Sequence, residues 1–494
     1  MATLDPSGRP VTVGRITVRT PGLTGTIDVT RPVSPSQRAS ARAASRTTAH
    51  DDVLFDALTN TRMEEQHVIT FSKTRQVGGS VGTLRDRRGS VGIEITVPAP
   101  PEEHGQVLLA RDEAGVASWH IPQPATNQNV RGRETRTYVI PRNVPVLPLD
   151  VATTRGLLGS LGRKVLHVLV FPLLDPILGR VGDYFVGKWE LHNRPYAIRS
   201  LTPGNYKRLV GEPITAQGWT SLAAGKALLF IHGTFSRSSS GFGDLDQATM
   251  LALYQRYGGR VFAFDHPTMV DDPAANVDRL LADVPDGTSP TVDIICHSRG
   301  GLVARELARR GEPVTVDRIV FVAAPNAGTV LSDPDHMGDF IDSYTNILSF
   351  FPENGITDIL EAVISLLKQF AVATLAGLKG LEAMVPGGPF LDALDSAIPS
   401  NPRYFALTSN FVPSTGASVT IKAADLVIDA VFRPSDNDLV VPTDGVYQFG
   451  PKLGGFGPTP QARLHIFAPP EEAPIHTRFF AEAATRQKIL EWLV

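Results

Sequence analysis

Four stretches, ALLFIHG (227–233), GRVFAFDHP (259–267), VDIICHS (292–298) and DRIVFVAAP (317–325), are rich in β-branched and aromatic residues and almost uninterrupted in apolar character. Segments of helical or loop character separate them. A strand wetted on one side alternates apolar and polar residues, whereas a strand covered on both faces reads as a continuous apolar run. Such runs alternating with helices predict an α/β fold, a mostly parallel, doubly wound sheet with helices on both faces. RYFALTSNF (403–411) and RLHIFAP (463–469) resume strand character further on, and TRFFAEAATRQKILEWLV (477–494) closes the chain as an amphipathic helix.

A chain of 494 residues is longer than one hydrophobic core usually organises, so a main domain at 221–494 with further regions before it is expected. Residues 1–50, including RPVSPSQRASARAASRTTAH (31–50), read as a flexible or loosely held arm. Residues 51–150 carry the short β-prone runs HVITFSK (67–73), SVGIEITVPAP (90–100) and GVASWHIP (115–122), and read as a small β-rich region. Residues 151–220 turn helical in their Leu and Val spacing and read as a helical connector packing on the main domain. Its most apolar run, VLHVLVFPLLDPILG (165–179), is interrupted by His167, Pro172, Asp175 and Pro176 and is too short to span a bilayer, so a buried or interface helix is expected there.

With 42% hydrophobic and 20% charged residues the chain has the make-up of a globular protein, and its net charge of −3 offers no electrostatic footprint for nucleic acid. The single cysteine, Cys296, excludes an internal disulfide and a Cys-based structural zinc site. That usage fits a reducing compartment, and the N-terminus MATLDPSGRPVTVGRITVRT lacks the charged-then-apolar order of a secretory signal, so a cytoplasmic location is expected.

The stretch DIICHSRGGLVARE (293–306) turns from strand to helix at one serine. Ligands of a parallel sheet sit at the C-terminal ends of its strands, and a helix that starts at once aims its free N–H groups at that end. That position suits Ser298 to be a nucleophile, with an ordinary strand-to-helix turn as the alternative. The corner demands small neighbours because strand and helix backbones approach closely; Gly300 supplies one side and Cys296 the other. Cys296 lies two residues before the corner, inside the buried strand, and reads as a small apolar filler rather than a second nucleophile.

The segment C-H-S-R-G resembles the nucleophile elbow G-x-S-x-G of the α/β-hydrolase superfamily, with Cys in place of the first Gly. LLFIHGT, IVFVAAPNAGT, MVPGGPFLDAL, FALTSN and NDLVVP extend the resemblance to the lipase-like branch, such as GPI inositol-deacylase-like and lecithin-cholesterol-acyltransferase-like hydrolases, over residues 227–494. The resemblance implies that backbone N–H groups of Thr234, after the His-Gly turn, and of Arg299, after the serine, form an oxyanion hole. His232 is expected to be a structural residue of that turn. The resemblance also implies the chain order serine, acid, histidine. In PSDNDLVVPTDG (434–445) Asp438 matches the acid, with Asp436 and Asp444 as alternatives. In EAPIHTRFFAEAA (472–484) His476 occupies a loop before the last helix, whereas His465 falls within a strand and His336 comes too early in the order.

The insert 332–402 lies where the superfamily places a helical cap, and its Phe350, Phe351, Leu366, Leu367, Phe370 and Leu375 suggest either an acyl-binding roof or plain helix packing. The implied activity is a serine esterase or lipase-like hydrolase working through Ser298, His476 and Asp438, with no metal or cofactor and with a small-molecule or lipid ester as substrate. Other acyl-enzyme chemistry (acyl transfer, thioester or peptide cleavage) and a non-catalytic scaffold are the competing readings. Peripheral membrane contact and a protein partner on the N-terminal region also stay open.

Overall fold

The computed structural model describes residues 1–31, 49–77, 92–100, 104–111, 117–123, 134–141, 163–172, 182–208, 211–350, 356–372, 377–412, 435–450, 459–468 and 473–493. Apolar residues at alternate positions draw the beginning of the chain into sheet: β1 (Ala2–Thr3), β2 (Val11–Val13), β3 (Ile16–Arg19) and β4 (Leu23–Thr30). Ile16 and Val18 on β3, and Leu23 and Ile27 on β4, all turn inward. Helix α1 (Ala49–Asn60) follows, then β5 (Glu64–Gln76), β6 (Gly92–Pro98), β7 (His104–Arg111), β8 (Ala117–His120), β9 (Thr135–Pro141) and β10 (Arg163–Pro172). These strands make a six-stranded sheet of order β1-β4-β5-β10-β7-β8 and a four-stranded sheet of order β2-β3-β6-β9. Ile27, Phe71, Ile95, Leu108, Tyr138 and their neighbours form the core between the two sheets.

Two expectations are corrected here. Residues 1–31 are not a loose arm but four strands of this sandwich; the Ser/Thr/Arg-rich part of that segment, 32–48, lies outside the described residues. The run 165–172 is not helical: β10 is a strand between β5 and β7. A short continuous apolar run has no periodicity to separate a buried strand from a buried helix, and here pairing with β5 and β7 decides for the strand. Helix does follow, as α2 (Gly182–Asn193), before strand β11 (Ala197–Ser200).

The rest of the chain alternates as its apolar runs predict. Its elements are α3 (Ala216–Ala223), β12 (Ala227–Ile231), α4 (Ser238–Gly241), α5 (Gln247–Arg256), β13 (Val261–Asp265), α6 (Pro273–Ala282), β14 (Thr291–His297), α7 (Gly300–Arg310) and β15 (Thr315–Val322). The insert supplies α8 (Met337–Phe350), α9 (Ile356–Val372), α10 (Lys379–Glu382) and α11 (Pro389–Ser396), and the chain ends with β16 (Arg403–Ser409), β17 (Leu464–Phe467) and α12 (Ala483–Trp492). The seven-stranded sheet has the order β11-β13-β12-β14-β15-β16-β17, all parallel except the edge strand β11, which therefore lies in this sheet although it precedes residue 221. Alternate residues serve opposite faces. Leu228, Phe230 and Ile295 share a core with Met250, Leu253, Ile489 and Trp492 of α5 and α12, while Leu229, Ile231 and Ile294 share one with Trp219, Val277 and Leu302 of α3, α6 and α7.

The cap helices α8 and α9 join that second core, and so does the outer face of the N-terminal sandwich through Val107, Leu109, Ala117 and Trp119. Leu366 and Leu367 of α9 are fully buried in it and Phe370 packs against it, so these residues serve helix packing; Phe351 and Leu375 lie outside the described residues, as does the side chain of Phe350. Among the described residues no helix is long and apolar enough to cross a membrane.

Candidate active site

Strand β14 ends at His297 and α7 begins at Gly300, which leaves Ser298 to turn the corner with φ of 53°. A side chain in this left-handed region is disfavoured by about 1–3 kcal/mol and is held only where the surroundings over-determine it. Here they do: the Ser298 N–H donates to the Val322 carbonyl at 3.0 Å, and the Ser298 carbonyl accepts from Gly301 N–H at 2.9 Å. Close packing explains the glycines. A Cβ on Gly300 would lie 2.4 Å from the Ile231 carbonyl oxygen, one on Gly301 2.4 Å from the Ala324 Cβ, and one on Gly233 2.5 Å from the Ser298 Cβ. Cys296 stands where the elbow motif has its first glycine; it is completely buried, and burial pushes its thiol well above the ordinary range, so it stays protonated.

The structure brings Ser298, His476 and Asp438 into one hydrogen-bonded chain. Ser298 Oγ lies 3.0 Å from His476 Nε2, and His476 Nδ1 lies 2.8 Å from Asp438 Oδ2. The other Asp438 oxygen accepts from the N–H groups of Val440 at 3.0 Å and Val441 at 2.7 Å, and Leu439 makes this tight turn with φ of 78°. Both carboxylate oxygens are thus engaged, which fixes the plane offered to the imidazole. The histidine loop is pinned twice, by His476 N–H donating to the Asp438 carbonyl at 2.9 Å and by His297 Nε2 donating to the His476 carbonyl at 2.9 Å. Burial, reinforced by the neighbouring His476, lowers the His297 imidazole to about 3, so it stays neutral. Ser298 is 3% exposed, Asp438 2% and His476 1%. The alternatives are elsewhere: Asp436 and Asp444 are exposed, His465 lies on edge strand β17, and His336 pairs with Asp339 at 3.1 Å.

On the other side of the serine, Thr234 and Arg299 carry backbone N–H groups that no described backbone carbonyl takes up. Their surroundings are rigid. The Arg299 guanidinium is fully buried, donates to the Gly380 carbonyl and to Asn276 Oδ1 at 2.9 Å each and also to the Asp271 carbonyl, and is lowered to about 10 by burial, so it remains a cation. His232 stacks on His266 with ring centroids 4.3 Å apart, its Nε2 accepts from His266 N–H at 3.2 Å, and burial lowers it to about 4. It is neutral and structural, as its place in the turn suggests. Arg194 donates to the Ser236 carbonyl at 3.2 Å and to the Asp358 carbonyl at 2.7 Å, tying the turn after Thr234 to cap helix α9.

Strand order, an antiparallel edge strand, helices on both faces and a left-handed serine at the β14–α7 corner together constitute the α/β-hydrolase fold. Residues 193–494 match the sequence family described as "Domain of unknown function (DUF7379)". The chain belongs to that family. The match takes in β11 as well as the strands from β12 onward. Comparison with curated proteins finds no match. Solved structures to which the chain is similar include phospholipase PlaB from Legionella pneumophila, at 16% identity over 45% of this chain and 45% of that one, with a TM-score of 0.29. Carboxylesterase CesB (YbfK) from Bacillus subtilis is 13% identical over 63% of this chain and 98% of its own, with a TM-score of 0.30, and lipase 1 from Pelosinus fermentans is 11% identical over 54% and 97%, with a TM-score of 0.36. The chain thus spans less than half the length of the phospholipase. The fold assignment stands on strand order and the elbow, not on these likenesses.

Two residues beside the site escape motif reading, Tyr344 inside the DUF7379 match and Glu190 just before it. Glu190 on α2 is fully buried, and its carboxylate accepts from the Thr268 N–H, from Thr268 Oγ1 at 2.9 Å, from Met269 N–H at 3.0 Å and from Val270 N–H at 3.2 Å. Thr268 Oγ1 in turn accepts from the Phe235 N–H, next to Thr234, at 3.2 Å. Tyr344 on α8 is 3% exposed, and its ring meets those of Phe235 and His476 edge-on, at 5.0 Å and 6.5 Å. Neither residue sits in a motif. A cleft of about 470 Å³ lined by Tyr196, Arg199, Trp219 and Asp283 opens at the β11 edge and is not part of this site.

Proposed function

We propose that the protein is a serine hydrolase that cleaves carboxylic esters, with Ser298 as nucleophile, His476 as general base and acid, and Asp438 as the group that orients the imidazole. The observation that carries this reading is the unbroken relay from Ser298 Oγ to His476 Nε2 at 3.0 Å and from His476 Nδ1 to Asp438 Oδ2 at 2.8 Å. His476 removes the hydroxyl proton as Oγ attacks the ester carbonyl, and the imidazolium so formed faces the Asp438 carboxylate. The N–H groups of Thr234 and Arg299 hold the oxyanion; each donor of this kind is typically worth about 3 kcal/mol of transition-state stabilisation. His476 then protonates the leaving alcohol, and water repeats the sequence on the acyl-enzyme.

The aromatic rings that cap helix α8 sets against Phe235 beside the oxyanion turn, Phe340 at 5.5 Å and Tyr344 at 5.0 Å, support an ester with an apolar, lipid-like acyl group. Because Ser298 is only 3% exposed, such a substrate reaches it after a shift of the cap. The test is labelling with a fluorophosphonate, followed by p-nitrophenyl esters of increasing acyl length. Covalent labelling of the wild type and none of Ser298→Ala is expected. A wild-type protein that stays unlabelled and turns over no ester would overturn the reading.

A further inference from the structure

Tyr344 has a use in packing that a phenylalanine would fill equally well: its ring sits in an aromatic cluster with Phe340 at 4.9 Å and Phe235 at 5.0 Å. The hydroxyl needs a separate explanation, because a buried phenol O–H is normally paired. Ser298 is a neighbouring side chain with which the phenol interacts. The contact with Phe235 sets the ring beside the residue that follows Thr234, and the edge-on contact with His476 sets it across the imidazole. The ring therefore stands beside both the turn that carries Thr234 and the imidazole of the relay. Burial, with the Asp438 carboxylate adding to it, raises the phenol above its usual range, so it acts as a proton-bearing donor rather than a base.

Helix α8 is held from its opposite face. Asp342 Oδ1 accepts from the Trp119 N–H at 2.8 Å, Thr345 Oγ1 accepts from the Trp119 indole N–H at 3.0 Å, and Asn346 pairs with both backbone groups of Ala117 at 2.8 Å. These three residues flank Tyr344 in sequence but lie about a third of a turn or more round the helix, so the same helix offers polar groups to strand β8 and the tyrosine to the serine. Strand β8 belongs to the N-terminal sandwich, outside the residues that match the family.

We infer that the Tyr344 hydroxyl is a third hydrogen-bond donor to the tetrahedral intermediate, carried in by the cap and positioned by N-terminal strand β8. This rests on the serine-hydrolase reading of Ser298. Tyr344 is then a catalytic residue, and Asn346 a positioning residue acting through it. No covalent or proton-transfer step is added: the phenol keeps its proton and donates to the oxygen that gains negative charge.

The experiment uses the full chain with p-nitrophenyl butyrate, a fluorophosphonate label and a trifluoromethyl ketone, which forms a hemiketal oxyanion on the serine. For Tyr344→Phe, kcat is expected to fall about 10²-fold with KM nearly unchanged, and trifluoromethyl ketone affinity to fall by a similar factor. Asn346→Ala is expected to lower kcat less, and the double variant to be no slower than Tyr344→Phe alone, because both act through one hydroxyl. A Tyr344→Phe protein as fast as wild type or faster overturns the inference and makes the hydroxyl a plug. Additive losses in the double variant overturn the role of β8. A wild type that no fluorophosphonate labels would instead remove the serine-hydrolase reading itself, and this inference with it.

Discussion

Replacing Glu190 by glutamine tests whether the N-terminal part of the chain is structurally continuous with the active site. The Glu190 side chain is fully buried and its two oxygens gather the N–H groups of Thr268, Met269 and Val270 together with the Thr268 hydroxyl. Its charge also faces the buried guanidiniums of Arg194 and Arg299. Glutamine keeps one acceptor oxygen but turns an N–H₂ toward the Val270 N–H, so one bond becomes a donor facing a donor and the others lose their charged acceptor. Hydrogen bonds to a charged group are worth about 1.5–3 kcal/mol and an orphaned buried donor costs about 1–3 kcal/mol. Glu190→Gln should therefore lower the unfolding free energy by roughly 3 kcal/mol, a large share of the 5–15 kcal/mol typical of a domain. The effect should extend to the rate. Thr268 Oγ1 receives the Phe235 N–H at 3.2 Å, and a loosened 268–270 loop lets the Thr234 amide drift from the place where an oxyanion would need it. A shift of about 1 Å at such a group costs on the order of 10²-fold in rate. Urea unfolding and p-nitrophenyl ester turnover on the same preparation measure both. An unfolding free energy within about 0.5 kcal/mol of wild type with an unchanged kcat would refute the coupling.

Further outcomes follow from the same geometry. In Gly233→Ala the new methyl meets the Ser298 Cβ at 2.5 Å and the His297 carbonyl oxygen at 2.9 Å, so kcat should drop by about 10²-fold or more; near-normal turnover would mean that the two backbones separate easily. Asp438→Asn keeps the oxygen that receives the Val440 and Val441 N–H groups but not the acceptor for His476 Nδ1, so kcat should fall about 10⁴-fold at nearly constant melting temperature. A loss below about tenfold would point to another acid. Stability should decline in acid. Burial lowers His232 to about 4, His297 to about 3 and His266 well below the usual range, so the unfolded chain takes up protons on these residues below about pH 6.5 while the folded chain does not. The stabilisation is complete above that pH and is lost toward pH 4, by roughly 1 kcal/mol per histidine per pH unit. Urea midpoints that stay level between pH 7 and pH 5 would contradict this.

What could be read from the sequence was local. Continuous apolar runs between helical segments specify a two-face-covered parallel sheet, because the demand for cover is written into each strand separately. The corner at Ser298 is equally local: it lies between strand and helix patterns that touch it directly. Asp438 and His476 were singled out by a resemblance, through the NDLVVP turn, the loop before the last helix and the chain order, and it is packing that brings His476 to hydrogen-bonding distance of both Asp438 and Ser298. Other features had no local signature. The run at β10 is too short and too uniformly apolar to declare its period, and its neighbours β5 and β7 decide that it is a strand. The strands at the start of the chain bury only a few residues each and are made stable by partners far along the sequence. Glu190 and Tyr344 look like an ordinary helix glutamate and an ordinary helix aromatic until the fold sets one against the Thr268 loop and the other against Ser298. Periodicity and turn chemistry act between residues a few positions apart and are legible in order along the chain; contacts across 78 and more positions, such as Glu190 to Thr268, exist only once the elements have packed.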